Sequence, residues 1–249
     1  MIRYFCRPKF KNDFMKHCCW VLALFLIACS GEKNLEPYYF PHQELSEGKV
    51  YEYHAPDPAD SLVPPFYMYY LTERNDTAVF LTSMNYDPYF QPSVFTRERV
   101  VSSGVLLESM YLYETDTTGT SKRVDAQVLH DNVFAFRTDP EQPGVLVWEA
   151  RWNPPAEVPT TMTLLRNRQY VKDTIVTVDG QPTDGIVVKV IERIDQEQVG
   201  HFEQEYTGTE VYAEGIGLVY YRKDITPEFK VEYALKERYS MAELEAKAK

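Results

Sequence analysis

Apolar and polar residues alternate along most of this chain in short runs, and the runs are separated by Pro, Gly, Asp and Asn. A period of two with β-branched and aromatic residues on one side predicts half-buried β-strands. Strands are expected over 50–54, 66–71, 77–84, 93–101, 105–114, 123–129, 132–137 and 145–152, with the spacing of an antiparallel meander. In the last third, 173–178 meets 185–194 across Asp179-Gly180, a dipeptide suited to a two-residue hairpin turn. Strands at 200–211, 218–223 and 229–238 complete the series. Ser240-Met241-Ala242-Glu243 matches a capping box, and good helix formers follow it, which predicts one short, largely solvated helix. A single helix gives no βαβ units, so the expected fold is mainly antiparallel β.

One segment breaks this pattern. Trp20 to Cys29 is an apolar run ending in Leu26-Ile27-Ala28-Cys29 and followed by Ser30-Gly31-Glu32-Lys33. It resembles a bacterial lipoprotein signal peptide with its lipobox, and the run is too short for a membrane-crossing helix, which needs about 20 apolar residues. The resemblance implies cleavage after residue 28, acyl chains on Cys29 and attachment to a membrane through them. The domain layout is then 1–28 signal peptide, 29–40 lipidated tether and 41–249 a single β domain. Residues 1–14 make an oddly long leader, so translation is expected to start at Met15. Ser30 is not the Asp of the inner-membrane retention rule, which points to the outer membrane and its periplasmic side, with the cell surface as the alternative.

Charge narrows the partners. Removing 1–28 leaves 21 basic against 36 acidic residues, a balance that opposes nucleic acid and anionic head groups. Three of the four cysteines lie upstream of Cys29, so the mature domain has no thiol nucleophile, thiolate metal site or redox pair. With 19 Tyr, 13 Phe and 44% hydrophobic residues, the composition is that of a folded, aromatic-rich protein.

Catalytic signatures are weak. Ser30-Gly31-Glu32-Lys33 and Ser46-Glu47-Gly48-Lys49 spell Ser-x-x-Lys without its partner motifs, and there is no Gly-x-Ser-x-Gly. His42, His54, His130 and His201 are isolated in sequence, so no metal site is expected. Carboxylates are too numerous for any pair to be singled out. The chain is therefore expected to be non-catalytic and to need no cofactor.

The aromatics carry more. Strand alternation puts Tyr67 and Tyr69 on one face and Phe66, Met68 and Tyr70 on the other. Tyr86-Asp87-Pro88-Tyr89-Phe90 lies at a Pro-containing loop. Tyr67, Tyr69, Tyr86, Tyr89 and Phe90 are the candidate ligand-binding residues, weighed against simple cross-strand packing.

Three fragments resemble a broad set of uncharacterised bacterial envelope lipoproteins: Tyr39-Phe40-Pro41 with Gly48-Lys49-Val50-Tyr51-Glu52-Tyr53, the hairpin at Val178-Asp179-Gly180, and Val211 to Val219 with its Gly215-Ile216-Gly217. These proteins are similar in architecture to LolA/LolB-like half-barrels. The resemblance implies a curved antiparallel sheet around an apolar cavity, with a sandwich as the alternative, and a carrier of an apolar envelope ligand such as a lipid. Gly215 and Gly217 are read as bend or bulge positions. An interaction module for an envelope protein partner or a glycan, acting through exposed aromatics, is the second function class.

Overall fold

The computed structural model describes residues 31–57 and 63–247. Cys29, the signal segment and the middle of the Pro and Asp stretch lie outside them. The strands are β1 (Lys33–Asn34), β2 (Lys49–His54), β3 (Phe66–Arg74), β4 (Val79–Tyr86), β5 (Pro92–Val101), β6 (Gly104–Thr115) and β7 (Ser121–Ala135). They continue with β8 (Arg137–Thr138), β9 (Val145–Trp152), β10 (Thr161–Val178), β11 (Gln181–Gln198), β12 (Gly200–Ala213), β13 (Gly217–Asp224) and β14 (Lys230–Tyr239). One helix, α1 (Met241–Lys247), follows.

Every neighbouring pair is antiparallel, and apart from the β1–β8 pair all strands form one closed barrel. This corrects the expected half-barrel and also its sandwich alternative. Closure is made where β14 meets β2, with Tyr51 opposite Arg238 and Tyr53 opposite Leu235. It is completed where β9 bridges β7 and β10. Extra residues in single strands, as at Tyr170/Lys172 and Val211/Tyr212, give the local bends that a closed sheet needs. The break expected between 129 and 132 is one such irregularity, at Val128/His130 within a continuous β7. At the β10–β11 turn, Asp179 (φ 52°) and Gly180 (φ 76°) both have positive φ, as the favoured two-residue hairpin turn requires.

Along β7 the apolar side chains point inward and the polar ones outward: Val124, Ala126 and Val128 pack toward the core, while Arg123, Asp125 and Gln127 are exposed. A lipid-spanning barrel has the opposite polarity.

Of the expected tether, 29–40, the part from Lys33 to Phe40 is instead packed on the barrel. Residues from Lys33 to Gly48 cross one end of the barrel and plug it. The Leu35 amide donates to the Phe136 carbonyl (2.8 Å), the Gly215 amide to Pro37 (2.9 Å) and the Thr72 amide to Leu45 (2.8 Å). Leu35, Tyr39, Phe40 and Leu45 are buried as a result. Gly215 and Gly217 have φ of 69° and 96°, and a Cβ on Gly217 would sit 2.5 Å from Phe40 Cδ1, so the turn must carry glycine for the plug to seat.

Helix α1 starts as its sequence predicts, with reciprocal bonds: Ser240 N to Glu243 Oε2 (2.8 Å) and Glu243 N to Ser240 Oγ (3.3 Å). It is largely solvated, as expected, and only Leu244 is buried, on the outer wall of the barrel with Val50, Tyr67 and Tyr239.

Candidate functional site: the barrel interior

Between the plug and the opposite, open end lies a cavity of about 530 Å³. Strand alternation supplies its walls. Phe66, Met68 and Tyr70 of β3 face in, with Val94 of β5, Leu112 of β6 and Leu164 of β10. The lining is mainly apolar, with one charged band.

That band is built by β10 and β12. Inward positions of β10 are Leu164, Arg166 and Arg168, and those of β12 are Glu210 and Tyr212. Glu210 is almost fully buried and receives Arg166 Nη2 at 2.9 Å, Arg168 Nε at 2.9 Å and the Tyr212 hydroxyl at 2.8 Å. Burial alone would raise its pKa, but Arg168, Arg166 and these hydrogen bonds outweigh it and hold the carboxyl at about 2. Glu192 continues the band by pairing with Lys223 and standing 3.7 Å from Arg166 Nε. Glu98 faces the same space and accepts a hydrogen bond from Tyr39 of the plug. Burial pushes the Glu98 pKa up, the Tyr39 bond and Arg168 opposing it.

Two polar atoms on this wall, Arg166 Nε and Asn85 Oδ1, are buried without a hydrogen-bond partner. Buried polar groups in proteins are nearly always paired, so these two are open to a bound molecule or to water.

The sequence-chosen aromatics lie elsewhere. Tyr67, Tyr69, Tyr86 and Phe90 come together on the outer face beneath α1, with Tyr67 and Phe90 ring centroids 4.9 Å apart. Tyr89 stands apart from them and is 81% exposed. The aromatic surface of the cavity is carried instead by the alternate residues of the same strand, and Arg166, Arg168 and Glu210 were not singled out from sequence at all. Tyr67→Ala is therefore expected to lower the melting temperature by several degrees, on the scale of about 3 kcal/mol for a truncated buried aromatic, and Tyr89→Ala to leave it unchanged. Equal melting temperatures for the two variants would contradict this placement.

The β11–β12 hairpin brings Asp195, His201 and Glu203 together, with ligand atoms within 4.8 Å of one another. Arg193 Nε, 3.3 Å from Asp195, already supplies positive charge there, which argues for an ion-paired surface.

No protein-family model matches the sequence, and no curated protein matches it. Two solved structures are similar to the chain. One is a "putative lipoprotein" from Parabacteroides distasonis ATCC 8503, at 14% identity and TM-score 0.50, covering 81% of this chain and 98% of that one. The other is a "putative exported protein with YmcC-like fold" from Bacteroides fragilis NCTC 9343, at 12% identity and TM-score 0.50, covering 81% and 99%. At these identities the likeness shows the fold.

Proposed function

We propose that the protein is a lipid-anchored component of a bacterial envelope, held in the outer membrane on its periplasmic side, that binds a small apolar or amphipathic molecule inside its barrel without catalysis. The observation that carries this reading is the cavity. Its volume lies in the range of small-molecule sites, its wall is mainly apolar, and a few polar groups converge on it. The apolar part of the ligand lies against Phe66, Met68, Val94 and Leu112, and its polar part meets Asn85 Oδ1 and Arg166 Nε, neither of which has a hydrogen-bond partner. The lipobox at Cys29 and the two structural neighbours, described as lipoprotein and exported protein, support the address.

Native mass spectrometry of protein purified from its own envelope is expected to show a reproducible bound mass, recoverable by organic extraction. Leu112→Trp fills the cavity from a side chain that already faces it, so the bound mass is expected to disappear with little change in melting temperature. A clean unliganded mass for the unsubstituted protein would overturn the ligand reading.

The second reading, an interaction module for a protein partner or glycan, is favoured by a specific feature. Tyr89, Val158, Val199, Phe202 and Phe229 are all exposed, and all lie on or beside the loops at the open end of the barrel. Loss of a captured partner on Phe202→Ser, with the bound mass unaffected, would mark that rim as the working surface.

A further inference from the structure

The chain leaves the barrel at a defined place. Lys33 pairs with Thr138 in the small β1–β8 sheet, and its ammonium bonds Asp173 of β10 at 2.8 Å. Two residues to either side of Asp173 stand Val171 and Ile175, which are 49% and 71% exposed. Val145 of the adjoining β9, opposite Gln169 of β10, is 53% exposed. Away from the open-end rim and the wall covered by α1, charged and polar side chains dominate the described outward positions, so three exposed aliphatic residues around the exit point form a distinct patch.

From this we infer that the outer wall of β9 and β10 around Asp173 rests on the lipid leaflet that carries the Cys29 acyl chains, and that the open end of the barrel points away from that membrane. The inference rests on the lipid anchor proposed above and adds an orientation to it. Cys29 is four residues before Lys33, a leash of at most about 14 Å when fully extended. Along β10 the far end, at Thr161, is twelve residues from Asp173, roughly 40 Å of strand. A leash that short holds the wall beside Lys33 against the leaflet and keeps the rim with Phe202 out of its reach. Val171, Ile175 and Val145 then add apolar contact where the protein's net negative charge gives no attraction to head groups.

The test uses the full lipidated protein in phosphatidylcholine vesicles with brominated acyl chains. Because Cys29 is consumed by its acyl groups, a single introduced cysteine can be labelled with an environment-sensitive fluorophore. The label at Ile175→Cys is expected to shift to the blue and be quenched by the brominated lipid, and the label at Phe202→Cys to stay unquenched. Quenching at 202 in place of 175, or at neither site, would overturn the orientation. Flotation with the vesicles and the intact mass separate this failure from failure of the anchor. Protein that floats and carries acyl mass but is unquenched at 175 rejects the wall alone, and protein without acyl mass rejects the anchor and the orientation together.

Discussion

Glu210→Ala is expected to destabilise the barrel by about 3–5 kcal/mol, the usual cost of removing one partner from a buried ion network. Its carboxylate, 1% exposed, is the counter-charge for both Arg166 and Arg168 and the acceptor for Tyr212. Without it, Arg168 loses its ion-pair partner and Arg166 keeps only the more distant Glu192, at 3.7 Å. For a domain of this size the loss corresponds to a fall in melting temperature of about 10 °C. The comparison that isolates charge is a triple variant, Glu210→Leu with Arg166→Met and Arg168→Met, which removes the charges together. It should recover most of the lost stability, since apolar replacement of a whole buried ion network is often neutral. A triple variant as unstable as Glu210→Ala would show that packing, and not the unpaired charge, sets the cost.

The same residue fixes an acid limit, and the sign follows from its pKa. The folded-state value of about 2 lies below the unfolded carboxylate value of roughly 4.3, so ionised Glu210 stabilises the folded form. That contribution is complete above the unfolded value and is lost as pH falls toward the folded one. Thermal melts of the unsubstituted protein should therefore decline across that window, and melts of Glu210→Gln should decline less.

Most strands were legible because their inward residues are apolar or aromatic. The first two-thirds of β10 was not, for a physical reason: inward positions 166 and 168 are arginines, so the alternation on which strand reading depends is interrupted where the cavity has its charge. Their partner Glu210 is more than forty residues away and is one of many carboxylates until the barrel brings β10 and β12 to the same interior. The aromatic strand was divided correctly into two faces, but a single strand does not reveal which face is covered. That is set at long range: closure of the barrel puts Phe66, Met68 and Tyr70 on the cavity wall, and Leu244 of α1, about 175 residues later, packs in one cluster with Tyr67 on the other face. Closure is likewise a long-range fact. The β2–β14 seam joins residues almost two hundred positions apart, and the same alternation would serve an open sheet equally well.

Residues 33–40, the first half of the plug, fall within the expected tether because Lys33 to Tyr38 has no apolar period. The plug's energetic weight is testable. Phe40→Ala is expected to cost about 3–5 kcal/mol, as for other buried phenylalanines, because the ring packs 4.1 Å from Tyr70 and lies within 6 Å of Tyr39 and Tyr51 by centroid distance. Gly217→Ala should be severe for two separable reasons, the positive φ of 96° and a Cβ placed 2.5 Å from Phe40 Cδ1. Combining the substitutions relieves the collision and leaves only the backbone strain, so the double variant should be more stable than the sum of the two single losses implies. Chemical denaturation of all four proteins measures that coupling. Strict additivity would mean that Phe40 does not seat on the Gly217 turn, and that the end of the barrel is closed by something other than this contact.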